Sequence, residues 1–205
     1  MTNQIVKVEP TENVFSITWS LGRRCNYDCM YCPSEYHNNT DKHRSLSKLK
    51  NYWLDILSKT NRNKYKIAFT GGEVTSNKDF LVFIQWLHEN YKHKISQILL
   101  TTNGSASYGY YVELFKYVDN ISFSTHTEHI IESKFFKTII DLSKTITNDK
   151  FLHVNIMDEY WAEDRIVKYK NLLDQHNISN AINLIDYNKK IRDNPIIKSK
   201  LDYEF

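Results

Sequence analysis

The chain has 205 residues, 41% of them hydrophobic and 14% aromatic, enough for one sizeable core in one domain or one and a half. Its formal net charge of +3, with 25% charged residues, is too small to argue for a nucleic-acid or anionic-membrane partner. No stretch approaches the roughly 20 consecutive apolar residues of a membrane span, and residues 1–10 show no secretory apolar run, so a cytoplasmic location is expected.

In chain order, residues 14–21 alternate β-branched and aromatic side chains and predict a strand. Leu46, Leu49, Trp53 and Leu57 share one side of a helix over 45–58, with Ser45 as its N-cap. Residues 65–70 read as a strand ending on Gly71-Gly72. Phe80, Phe83, Ile84 and Leu87 follow the i, i+3, i+4, i+7 pattern of a helix over 79–91. A strand over 95–101 stops near the turn pair Asn103-Gly104. A shorter helix over 108–117 and a strand over 120–124 follow. Ile131, Phe135, Ile139, Leu142 and Ile146 mark a helix over 128–147. A strand over 151–157, a helix over 162–176 and a strand over 181–186 complete the pattern.

Strands that alternate with helices imply a parallel α/β sheet with right-handed crossovers. A closed eight-fold barrel takes about 250 residues, so an open, partial barrel is expected, with function at the C-terminal ends of its strands. The expected core domain spans residues 13–186, between a short segment over 1–12 and a polar tail over 187–205 that carries a small apolar patch at Ile196-Ile197.

All three cysteines, Cys25, Cys29 and Cys32, lie on the loop after the first strand with the spacing C-x3-C-x2-C. An odd, tightly packed set is unlike a disulfide framework. Three thiolates on one loop can hold three corners of a [4Fe–4S] cube and leave the fourth iron open to another ligand. Two plainer readings stand beside this one: a zinc site completed by His37 or His43, and buried structural cysteines without metal.

The C-x3-C-x2-C loop with Tyr31 before its last cysteine resembles the signature of the radical S-adenosylmethionine (SAM) superfamily. Thr70-Gly71-Gly72-Glu73, at the end of the second strand, looks like the GGE motif of that family. The resemblance implies a partial (βα)6 TIM-like barrel, laterally open, with a [4Fe–4S] cluster on Cys25, Cys29 and Cys32 and SAM on its open iron. It implies that Glu73, with the backbone of Gly71 and Gly72, binds the SAM amino group. The sequence departs from the family in two places. Val74 stands where a proline often follows the glutamate, and the fifth strand, Leu152-His153-Val154-Asn155-Ile156-Met157, has no glycine-rich adenine motif.

Adenine contacts are therefore expected from backbone and apolar groups near Tyr31, Pro33 and Met157. Thr102 and Asn103 end the third strand. Ser122 and Ser124 share one face of the fourth by alternation, and the resemblance implies that Ser124 binds the SAM ribose or carboxylate. His126 is a candidate for ribose, carboxylate or substrate, or an ordinary loop histidine. Asn155 is a candidate SAM or substrate contact, or a satisfied buried amide. Arg23 and Arg24 either tune the cluster and guide an electron donor or form a solvated pair. Since the cluster takes every thiol, neither a second cysteine-bound cluster nor a thiol hydrogen donor is expected; Tyr160, and after it Tyr36, are the candidate hydrogen donors.

The activity so implied is reductive cleavage of SAM to methionine and a 5′-deoxyadenosyl radical that abstracts hydrogen from a peptide or small metabolite. A flavodoxin- or ferredoxin-type one-electron donor is the expected partner. The alternatives are an activating enzyme for a glycyl radical on a partner protein, and a non-enzymatic zinc or iron–sulfur module.

Overall fold

The computed structural model describes residues 14–33, 37–159 and 162–185. Tyr36, Tyr160 and the two expected terminal segments lie outside the described residues. Six strands, β1 (Val14–Ser20), β2 (Lys64–Thr70), β3 (Ile95–Thr102), β4 (Asn120–Thr125), β5 (Phe151–Asp158) and β6 (Ser179–Leu184), pair in sequence order, every pair parallel. The helices α1 (Leu46–Thr60), α2 (Phe80–Tyr91), α3 (Tyr108–Leu114), α4 (Glu132–Thr145) and α5 (Glu163–Gln175) occupy the five crossovers. Each strand adds to the same edge. Right-handed crossovers then put all five helices on one face of the sheet. The result is the expected partial, laterally open barrel, with β1 and β6 at its two edges among the described residues.

Alternation along the strands sorts side chains between the two faces. Tyr65, Ile67 and Phe69 of β2, Ile121 and Phe123 of β4, and Leu152, Val154 and Ile156 of β5 are buried in one core beneath the helices. Phe83 and Leu87 of α2 and Trp53 of α1 are fully buried in that core, each contributing about 1.5–3 kcal/mol by leaving water. The other residues of the same strands, among them Lys66 and Thr70, Ser122 and Ser124, and His153 and Asn155, form a concave face without helices. A closed barrel fills that space with Val, Ile and Leu. Here hydroxyl and amide side chains line it, so it is a groove and not a second core.

Two expected boundaries shift for tertiary reasons. Ser45 has the extended backbone of an N-cap but makes no capping bond; its hydroxyl meets Ser47 Oγ at 3.1 Å. Asp79, from the N-terminus of α2, accepts the Leu46 N–H instead at 3.0 Å. The helix expected from residue 128 begins at Glu132. Residues 126–130 form a turn closed by His129 and Ile130 N–H on the His126 carbonyl, and this turn packs against the cysteine loop.

Candidate active site

The C-terminal ends of β1 to β4 enclose a cavity of about 270 Å³ that all three cysteines line. This is close to the lower end of the roughly 300–1,000 Å³ range of small-molecule sites. Its floor follows from two glycines. Beyond β2 the chain keeps running beside the stem of the cysteine loop: Leu21 N–H bonds Thr70 O, Gly72 N–H bonds Gly22 O at 2.8 Å, and Glu73 N–H bonds Arg24 O at 2.8 Å. Gly71 has φ +133°, and a Cβ on Gly72 would lie 2.1 Å from the Arg24 carbonyl oxygen. The glycines thus let two backbones meet, which sets Glu73 against the residue before Cys25.

Glu73 is buried, with 2% of its surface exposed. Its Oε1 accepts from Thr75 N–H (2.9 Å), Thr75 Oγ1 (2.6 Å) and Thr102 Oγ1 (2.7 Å), and its Oε2 accepts from Asn103 N–H (2.7 Å). Burial pushes the Glu73 carboxyl above the usual range, and these donors pull against that shift. Oε2, with one donor, keeps capacity for a cation. Thr102 and Asn103 line the cavity, yet their polar groups are already engaged: the Asn103 amide also donates to Asn26 Oδ1 at 2.9 Å and accepts from Ser105 N–H at 3.0 Å. Their evident work is to hold Glu73 and the cysteine loop.

Burial raises the thiols of Cys25 and Cys29 above the usual range, so metal loading must displace their protons. The turn after β4 clasps this loop. Glu128 accepts the Met30 N–H on both oxygens (3.3 and 3.2 Å), Tyr27 stacks on His129 with centroids 4.8 Å apart, and the Tyr31 ring lies parallel to His126 with its hydroxyl bonded to Nδ1. Burial lowers the pKa of His126 to about 4, helped by nearby His129, and burial raises that of the Tyr31 phenol. The phenol is therefore protonated and the imidazole neutral, and the hydroxyl and Nδ1 share one hydrogen bond.

Ser124 and His126 line the cavity, as do Tyr31 and Pro33. No hydrogen bond among the described residues engages the Ser124 hydroxyl. His37, considered from the sequence only as a zinc ligand, also lines the cavity, and its Nε2 is buried without a hydrogen-bond partner among the described residues. Asn155 sits in register with Ser124, and Met157 two residues further along β5, but neither they nor Ser122 belong to the cavity wall. Sequence reasoning missed Thr127, Glu128, His129 and Glu159. Glu159 has no exposed surface, and burial pushes its carboxyl up to about 7. The one available signal was its position directly past a parallel strand, where such sites form.

A six-stranded open parallel barrel with a three-cysteine loop at its first strand end and a buried glutamate at its second defines a class of cluster enzyme. The radical SAM superfamily profile matches residues 19–152, well over half of the chain, and the protein belongs to that superfamily. It is 40% identical over 81 residues to the GTP 3′,8-cyclase of Pasteurella multocida (strain Pm70), a match covering 39% of this chain and 23% of the relative. It is 36% identical over 88 residues to the GTP 3′,8-cyclase of Haemophilus ducreyi (strain 35000HP), covering 42% and 24%. The chain thus matches about a quarter of the length of these curated relatives. Among solved structures, native anSMEcpe with bound AdoMet superposes with a TM-score of 0.61 at 17% identity, covering 84% of this chain and 52% of that one. BtrN in complex with AdoMet and 2-DOIA gives 0.53 at 17% identity, covering 89% and 80%. At such identity the likeness is one of fold.

The cofactors of this superfamily, a [4Fe–4S] cluster and SAM, fit the residues present. The three thiols share one cavity. Cys25, Cys29 and Cys32 can each give one thiolate to a separate iron of such a cluster. The buried, unpartnered His37 Nε2 on the wall also matches a site built for a polar guest.

Proposed function

We propose that this chain is a radical SAM enzyme acting on a peptide or small metabolite. The observation that carries the reading is that Cys25, Cys29, Cys32 and Glu73 line one cavity at the strand ends. When bound, cluster and SAM together supply a 5′-deoxyadenosyl radical by one-electron reductive cleavage, and they release methionine. The residues hold and orient. Cys25, Cys29 and Cys32 ligate three irons and leave the fourth open. Glu73 accepts the SAM ammonium on Oε2, with Thr102, Thr75 and Asn103 fixing the carboxylate. Ser124 and His126 would bind the ribose and carboxylate, and Tyr31 and Pro33 would hold the adenine; all four line the cavity.

The match to the GTP 3′,8-cyclases covers too little of those enzymes to carry their substrate over. The open flank between the β1 and β6 edges admits a polypeptide as readily as a metabolite. A flavodoxin- or ferredoxin-type protein would supply the electron. The test is anaerobic incubation of cluster-loaded protein with SAM and dithionite. Formation of 5′-deoxyadenosine, abolished in Cys29→Ala together with the iron, supports the reading; a full cluster that never cleaves SAM overturns it. Deuterium transfer from candidate substrates, GTP included, into 5′-deoxyadenosine then identifies the substrate.

A further inference from the structure

The most deeply buried acid outside the Glu73 network is Glu159, one residue past β5, with no exposed surface. It is not part of the cavity wall. Its Oε1 and Oε2 accept the Thr127 N–H at 2.9 and 3.0 Å, and Oε2 also accepts the Thr127 hydroxyl. Thr127 follows His126 directly, so these bonds fix the end of β4 that presents His126. Next along the chain from this anchored Thr127, His126 shares a hydrogen bond between its Nδ1 and the Tyr31 hydroxyl of the cysteine loop. Glu159 thereby ties the β5 end, through its own backbone, to the β4 turn through Thr127, and His126 beside Thr127 carries the link on to Tyr31 of the cysteine loop. The backbone beneath it is set as well, since Glu159 N–H bonds Met157 O and Ala162 N–H bonds Glu159 O. The β4 and β5 ends are joined a second time where Met157 N–H bonds Thr125 Oγ1 at 3.1 Å.

Such an anchor is costly to bury unless its bonds are needed, because a carboxylate shut away from water loses its hydration. A surface clamp between two loops would need no buried charge. We propose that Glu159 is a positioning residue for SAM: from behind the cavity it sets the Tyr31 ring and the His126 imidazole as one wall of the SAM site. The inference rests on the function proposed above. Glu159 is not among the residues lining the cavity, so its loss acts on the site through Thr127 and His126.

The test uses cluster-loaded protein with three measurements: iron content, SAM affinity by equilibrium dialysis, and the SAM-induced change in the electron paramagnetic resonance spectrum of the reduced cluster. Glu159→Ala is expected to keep the wild-type iron content, bind SAM roughly tenfold more weakly, and show fast deuterium exchange at the Thr127 amide. Glu159→Gln keeps an acceptor for Thr127 and is expected to restore affinity to within about threefold. Tyr31→Phe keeps the ring, removes the hydroxyl and should repeat the loss of affinity, which serves if Glu159→Ala does not fold. Wild-type SAM affinity in Glu159→Ala, or in Tyr31→Phe where Glu159→Ala does not fold, overturns the inference. Failure of wild-type cluster-loaded protein to perturb its spectrum with SAM would instead remove the parent reading.

Discussion

A Cβ placed 2.1 Å from a carbonyl oxygen cannot be accommodated by side-chain adjustment, because both partners are backbone. Gly72→Ala is therefore expected to push the cysteine loop off the end of β2. A destabilisation of about 1–3 kcal/mol should appear as a lower melting temperature of the metal-free protein, together with loss of iron incorporation. Titration gives a second residue-scale prediction. The Glu159 carboxyl is raised by burial from 4.5 to about 7. In the metal-free protein the folded state then holds a proton that the unfolded state releases between pH 4.5 and 7. The stability tied to that proton is fully present below pH 4.5 and is lost as pH rises through 7. Glu159→Gln carries no such proton, so it should gain on wild type across this window and keep a constant advantage above it, measured by chemical denaturation at stepped pH. His126, lowered by burial from 6.5 to about 4, acts in the opposite sense: the stability tied to its neutral form is lost as pH falls from 6.5 to 4. In wild type the two slopes oppose each other where the windows overlap, and the difference between wild type and the Gln variant isolates the Glu159 slope.

At the scale of elements, capping crosses from one crossover to another. Asp79 stands at the N-terminus of α2 yet satisfies the first N–H of α1, so the start of α1 depends on α2. Asp79→Ala is expected to cost about 1 kcal/mol, which is roughly 2–4 °C in melting temperature at this chain length. Helicity lost from α1 but not from α4 or α5 in residue-resolved hydrogen exchange would confirm where the cost falls. The turn between β4 and α4 shows the same dependence. Helical spacing of apolar residues carries no information about Glu128 or His129, whose partners Met30 and Tyr27 lie about a hundred residues earlier in the chain. For that reason the sequence placed the start of α4 a turn too early.

For the whole molecule, the strand order puts the described helices on one face of the sheet and leaves polar residues such as Ser122 and His153 on the other. The cysteine loop bridges this concavity, tied by its stem to β2 and by its tip to the turn after β4. Cofactors bound to that loop should therefore stiffen distant segments, since ligand binding stabilises every element it couples. Anaerobic cluster loading followed by SAM addition is expected to slow amide exchange at residues 126–131 as well as at 25–33, with little change in α1 or α5. Protection confined to residues 25–33 would show that the clasp does not transmit.

Two local signals made much of this protein legible in its sequence. Apolar periodicity reports burial one element at a time, and it located all six strands and five helices, because each must turn one face to the core. Closely spaced cysteines report a cluster because all three ligands lie on one loop, and Gly71-Gly72-Glu73 was readable because its place after a strand is itself a sequence property. The tertiary structure alone decided which polar groups are already engaged. It gave Thr102 and Asn103, which line the cavity, hydrogen bonds to Glu73, left Asn155 and Met157 outside the cavity wall, and brought Glu159 against Thr127. Hydrogen-bond partners dozens of residues apart have no spacing for a sequence to carry. Their pairing exists only once the strands are laid side by side.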